Sequence, residues 1–408
     1  MKLAKLSLAA IIVSGLTVDS FAADTLADAI RNTELSGVLR QVYREKQTKE
    51  PGEDDVLEDG FSIGARLEGR TGKFMGFTGN FGFQTSTTPD MISENNDDKA
   101  FAQDATNMHI LNLSYSYAET ALTVGRFFIK TPLLKNRDSR ILKDYNDGAY
   151  ITNTSIPNTE LIAGVVTGYQ WIDQDVDKIK FDKPLYTLYA NTAIGDLKLT
   201  AQMTSNESVN VGYEDGSKDY YVEAKYKIKG DFPITLGAQY IKWQADDDFK
   251  DSFDDNYGED GWDAAKASSM YGLMAKIELP YGFGLGVHYT KIADKDGQVK
   301  GGWGESLDPS YNSMIITDGN EKGYETYRGT LYYEGFGLET DIYYAHFDQH
   351  SATSSKDLRD TKEIGIEAVY KFSGAFKGLS LETQLAKSKE ESTDKEKTQI
   401  RFYTEYKF

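Results

Sequence analysis

From about residue 36 to the final Phe408, the chain alternates apolar with polar or small side chains, segment after segment. In DGFSIGARLEGR, Phe61, Ile63, Ala65 and Leu67 fall on one side, and Ser62, Gly64, Arg66, Glu68 and Arg70 on the other. YYVEAKYKI sets Tyr220, Val222, Ala224, Tyr226 and Ile228 against Tyr221, Glu223, Lys225 and Lys227. The closing TQIRFYTEYKF sets Ile400, Phe402, Thr404, Tyr406 and Phe408 against Gln399, Arg401, Tyr403, Glu405 and Lys407. Successive Cβ atoms of a strand point to opposite faces, so a period of two sustained this long predicts a sheet with two unlike surfaces.

A soluble sandwich also alternates. Here the polar faces carry charges and glycines strand after strand, as a watery lumen requires, and the apolar faces end in aromatics suited to interfacial girdles. Composition agrees, with 27 Tyr, 20 Phe and 37 Gly against 8 Pro. Connections alternate in length too. Short ones occur at RTGK, YAET, IPNT, IGD, IKGDFP, LPYG, YEGFG and FSGAFKG. Long polar ones fall near residues 46–58, 86–106, 129–147, 171–183, 206–218, 245–266, 293–322, 347–361 and 388–396. Nine long loops and eight short turns imply an all-β, transmembrane antiparallel barrel of about 18 strands, 16 being the alternative count. Short turns then face the periplasm and long loops the exterior. Closure is required because lipid cannot satisfy an open sheet edge.

The two ends fit this reading. Lys2 and Lys5 precede the apolar run LSLAAIIVSGL, and Ser20 and Ala22 are small, which predicts a signal peptide over residues 1–22. The run is too short for a membrane helix. Residues 23–35 form a short periplasmic segment in which DTLADAIRN predicts two helical turns, with Leu26, Ala27 and Ile30 on one side. The barrel occupies 36–408. Phe402, Tyr406 and Phe408 share one face of the last strand and resemble the terminal signal read by the barrel-assembly machinery. A formal charge of −19 excludes nucleic acid as a partner, and the absence of Cys excludes disulfides and thiolate metal sites.

No catalytic or metal constellation is predicted. His109, His288, His346 and His350 are scattered, and no Glu accompanies the last two as in a zinc-protease helix. Asp173, Asp175 and Asp177 alternate, yet Lys178 stands where a calcium loop needs Gly and Pro184 where it needs Glu. Residues 245–266 hold nine acids against Lys250 and Lys266, a solvated loop rather than a calcium ligand set. The expectation is no cofactor, with loop-bound calcium as the weaker alternative.

The stretch KTPLLKNRDSRILKDYNDG, residues 130–148, stands out in so acidic a chain. Lys130, Lys135, Arg137, Arg140 and Lys143 alternate with Asp138, Asp144 and Asp147, and Leu133, Leu134, Ile141 and Leu142 are interleaved. A loop waving in water has no use for those leucines. A third loop folded inward does, with its apolar side chains on the barrel wall and its charges narrowing a passage that 16–18 strands otherwise leave open. The alternative is an outward loop solvated by its charges.

Residues 26–43, 59–86 and 124–169 resemble the first strands and loop 3 of the OprD-type outer-membrane porins, most closely the branch of Campylobacter and related bacteria that includes their major outer-membrane proteins. The resemblance implies a diffusion porin of 18 strands, often trimeric, with loop 3 in the lumen. It also implies a row of basic residues facing acidic ones. The matching positions are Arg126, Lys130, Lys135, Arg137 and Arg140 at the loop and Arg40, Arg44, Arg66 and Arg70 on the first two strands. Asp138, Asp144, Asp147 and Glu68 supply the opposing charge. The expected function is passive diffusion of ions and small hydrophilic solutes through a homotrimer seated in outer-membrane lipid. A channel specific for small carboxylates or amino acids, and an adhesin or structural barrel, are the alternatives.

Overall fold

A computed structural model describes residues 23–89, 98, 101–136, 138–170, 179–206, 217–245, 267–293, 303–304, 310–317, 323–349 and 360–408. The first strands are β1 (Glu34–Lys49), β2 (Val56–Arg70), β3 (Phe77–Thr87), β4 (Ala105–Tyr117) and β5 (Thr120–Phe127). Two short strands, β6 (Lys130–Thr131) and β7 (Leu134–Lys135), belong to loop 3. The wall continues through β8 (Tyr145–Asn153), β9 (Thr159–Gln170), β10 (Ile179–Ile194), β11 (Leu197–Asn206), β12 (Ser217–Ile228), β13 (Ile234–Ala245), β14 (Ala267–Glu278) and β15 (Phe283–Ile292). A third short strand, β16 (Trp303–Gly304), precedes β17 (Tyr324–Gly335), β18 (Leu338–Gln349), β19 (Asp360–Lys371), β20 (Leu379–Glu390) and β21 (Lys395–Lys407).

Omitting β6, β7 and β16, each wall strand pairs antiparallel with the next, in one 18-stranded sheet. The sheet closes where β1 pairs with β21, from Val38↔Lys407 to Lys49↔Glu396. The barrel and its 18 strands therefore match the period-two reading. At the seam the Phe408 ring covers Gly37, where any Cβ would collide with it. The two residues exchange backbone hydrogen bonds of 2.9 and 3.1 Å. Phe402, Tyr406 and Phe408 are all exposed on the outer face.

Two connections expected to be long are short. β1 and β2 run on to Lys49 and Val56, and β20 and β21 to Glu390 and Lys395. At 16 and 15 residues, β1 and β2 exceed the ~9–11 that span a membrane, so these hairpins project beyond it. The short N-terminal helix α1 spans Leu26–Arg31, capped by the Thr25 hydroxyl, which accepts from the Asp28 N–H. Leu26, Ala27 and Ile30 are exposed, and Ala29 is the buried residue. The Ala29 carbonyl accepts from the Gly72 N–H at 2.9 Å, so contact with the barrel is made through backbone beside a small side chain.

The aspartates at 173, 175 and 177, the acidic run 246–266 and His350 lie outside the described residues. Among the described residues no cluster of His, Cys, Asp and Glu suits a metal ion. His346 instead pairs with Asp360 at 2.7 Å.

Candidate functional site

Loop 3 crosses the lumen, and its apolar residues bind it to the wall in three places. Ile129 and Leu134 pack with Phe127, Tyr150, Ile162, Val166 and Leu185. Leu133 reaches the far side, among Tyr221, Ile241, Met270, Ile292 and Phe347. Ile141 and Leu142 pack with Val42, Phe101 and Tyr403. All four of Leu133, Leu134, Ile141 and Leu142 are at most 1% exposed. Burial of each stabilises the folded-in loop by about 1.5–3 kcal/mol. The wall leaves room for it at Gly64, where a Cβ would come within 2.8 Å of the Ile141 side chain and 2.7 Å of the Thr85 carbonyl. Within the lumen β6 and β7 form a hairpin, and β16 of the seventh loop adds to β7 in parallel.

At the centre Asp138 Oδ1 meets Arg40 Nη1 at 3.2 Å and Arg66 Nη1 at 3.1 Å. Glu405 lies 3.8 Å from Arg40 Nε and 3.6 Å from Arg66 Nη2. Arg40 also donates to the carbonyls of Asp138 and Arg140, at 2.7 and 3.0 Å. Two wall guanidiniums thus hold the backbone of loop 3 in place, each shared with two carboxylates. Burial alone would raise the Asp138 pKa, but Arg66, Lys143, Arg40 and Lys130 together hold it far below the ordinary carboxylate range.

Beside this knot is a cavity of about 430 Å³, lined by Arg70, Lys130, Lys143, Glu68, Asn80 and Asn112 among others. Lys143 pairs with Glu68 at 3.2 Å and lies over the Phe128 ring, as Lys130 does. Glu68 is also bonded to His109, which is fully buried. Among the described residues neither Arg70 nor Lys130 has a carboxylate partner in an ion pair. The cavity thus sets Arg70 and Lys130, which are in no ion pair among the described residues, beside the carboxylates of Glu34, Glu68 and Asp138, a wall of both signs that suits small charged or hydrated solutes.

The structure separates the remaining expected residues from this group. Asp144 is 0% exposed and accepts from the Tyr169 hydroxyl at 2.7 Å, so it fastens loop 3 to β9 rather than facing the passage. Arg126 and Asp147 pair with each other at 2.9 Å and face each other in the β5–β8 ladder. Arg126 shares its face of β5 with the exposed Leu122 and Val124 and stands opposite the exposed Leu111, so these two charges fall on the face away from the lumen row. Lys135 lies opposite Lys130 in the lumen hairpin. Arg44 and Arg140 meet at the Phe101 ring. Arg137 lies outside the described residues. Glu405, Arg401, Asp98, Phe101 and Phe128 were not singled out from sequence. The first two lie on the polar face of the last strand, where the same period of two displays them.

The profile of the outer membrane porin, OprD family, matches residues 63–408. This chain belongs to the OprD family of outer-membrane porins. Among characterised proteins, direct sequence comparison finds no match. Several solved structures of Pseudomonas aeruginosa proteins are similar in fold. OccK9 (OpdG) superposes with a TM-score of 0.77 at 16% identity, covering 93% of this chain and 100% of that one. OpdK with vanillate gives 0.76 at 15% identity, over 93% and 99%. OccK2 (OpdF) in complex with glucuronate gives 0.73 at 14%, over 93% and 98%. As an OprD-family porin, the protein is a channel of the Gram-negative outer membrane.

Proposed function

We propose that ions and small hydrophilic solutes diffuse through this OprD-family barrel past loop 3, and that the cavity beside Asp138 is the narrow point they negotiate. Solutes exchange bulk water for lumen water and charged wall contacts, with no covalent chemistry and no cofactor. The observation that carries this is the pair Arg70 and Lys130, which open on the cavity and are in no ion pair among the described residues. The same pair favours a second reading, preference for small carboxylates. Vanillate and glucuronate, held by OpdK and OpdF, are both carboxylates.

Stepwise conductance of the purified protein in planar bilayers is the expected result, and a silent bilayer overturns the proposal. Carboxylates added to one side should produce concentration-dependent block if the second reading holds, and none if diffusion is non-selective. Further parts of the reading are a signal peptide over 1–22, a homotrimer in outer-membrane lipid, and recognition of Phe402, Tyr406 and Phe408 by the assembly machinery. The Campylobacter-branch placement rests on the likeness of residues 26–43, 59–86 and 124–169. Mass spectrometry of the mature N-terminus and native-gel sizing test the first two.

A further inference from the structure

The second long loop contributes a turn that loop 3 does not account for. Asp98 donates its N–H to the Asp59 carbonyl at 2.9 Å, and its own carbonyl accepts from the Phe101 and Ala102 N–H groups. Ser62 Oγ donates to the Phe101 carbonyl at 2.5 Å and accepts from the Gln103 N–H at 2.9 Å. The turn sits on Gly60, where a Cβ would be 3.0 Å from Asp98, Phe101 and Ala102 atoms. Phe101 is 0% exposed, an aromatic buried within the lumen.

Three guanidiniums gather round that ring. Arg44, Arg140 and Arg401 place their central carbons 4.3, 4.5 and 5.5 Å from its centroid. Arg44 and Arg401 are directly opposite in the β1–β21 ladder, an arrangement that is unfavourable for like charges. Arg140 comes from loop 3. Asp98 pairs with Arg44. Arg401 is held further by the Ile315 carbonyl and the Gln384 side chain, each at 3.4 Å. The negative face of an aromatic ring attracts cations most strongly where water is excluded. A ring and a carboxylate therefore compensate charges that would otherwise repel one another across the lumen.

We propose that Asp98 and Phe101 are specificity-determining residues of the channel. They hold Arg44, Arg140 and Arg401 in a compensated stack at the wall and keep that positive charge from passing ions. The inference rests on the lumen being the conduction path. It assigns the second loop a part in ion preference distinct from the narrowing by loop 3.

The test is the reversal potential of the full-length channel in planar bilayers under a KCl gradient. Phe101→Leu keeps an apolar side chain and removes the ring, and Asp98→Asn removes the carboxylate. Each should raise the chloride-to-potassium permeability ratio by about twofold or more, the population change a modest cation–π contact sustains. Phe101→Tyr keeps the ring and should leave the ratio at its wild-type value. A merely structural turn would alter conductance in Phe101→Leu without shifting the ratio, and that result overturns the proposal. So does a shift in Phe101→Tyr equal to that in Phe101→Leu. Should Phe101→Leu fail to assemble, Asp98→Asn decides alone: a shift toward chloride supports the proposal and an unchanged ratio overturns it. Arg70→Ala/Lys130→Ala run beside these separates the readings, because its failure to alter selectivity counts against the cavity and leaves the Phe101 result standing.

Discussion

Arg66 and Arg70 lie four residues apart on the same face of β2, roughly 13 Å along the strand. Arg66 is almost wholly buried and divides its guanidinium between Asp138 and Glu405. Arg70 opens on the cavity, with no carboxylate partner in an ion pair among the described residues. Both are lumen arginines by alternation, yet one holds the channel's shape and the other remains available to a solute. The sum of charges along a pore wall therefore says little about its ion preference. What matters is which charges the protein has already compensated.

Removing Arg66 should have the largest effect. Arg66→Ala leaves Asp138 and Glu405 short of a guanidinium, and breaking a buried pair costs about 3–5 kcal/mol, less here because Asp138 is part-exposed. Loop 3 should loosen and single-channel conductance rise several-fold, with a lower unfolding temperature in detergent. An unchanged conductance would remove Arg66 from the structural class. Next comes Arg70→Ala/Lys130→Ala, which should cost less stability than Arg66→Ala, because neither cation is in an ion pair among the described residues. Carboxylate block should weaken about tenfold, the loss expected when a charge-assisted contact worth ~1.5–3 kcal/mol is removed. If this variant destabilises the barrel as much as Arg66→Ala, the distinction between the two arginines collapses.

Gly64→Val sharpens the contrast from the packing side. Its Cβ would press on Ile141 and Thr85, and overpacking of this kind costs about 1–3 kcal/mol. Loop 3 should shift with every lumen charge intact, so conductance should change more than the reversal potential. The smallest effect expected is that of acid. Asp138 is held below its ordinary value, so its contribution to the knot is complete above about pH 4 and is lost only as pH falls through the lowered value. The ion pairs of Asp138, and with them the folded-in loop, should therefore persist from neutral pH down to about pH 4. Opening of the loop between pH 6 and 4, followed by single-channel recording, would show that Asp138 does not hold it.

Much of the fold was legible because each part of it rests on local pattern. Alternation marks a strand wherever it occurs, and a loop carrying Leu133, Leu134, Ile141 and Leu142 must bury them somewhere. The candidate site was legible less evenly. Arg66 and Arg70 were found by face, and Lys130 by its place in the charged run of loop 3. Asp144 and Asp147 sit in the same charged run as Asp138, but one is sealed under Tyr169 and the other stands in the β8 ladder beside Arg126. Nothing in residues 130–148 distinguishes the three aspartates. Phe101 was missed because a single aromatic in a polar loop carries no period.

The sequence by itself determined the barrel, its 18 strands, the inward loop and the lumen faces of its first strands, since these follow from side-chain alternation and turn placement a few residues apart. Only the tertiary structure decided which charges oppose which. Asp138 meets Arg40 across 98 residues of chain, and Phe101 gathers cations from β1, β21 and loop 3. Pairing depends on distances of 3–5 Å between segments that only closure of the barrel and docking of its loops bring together.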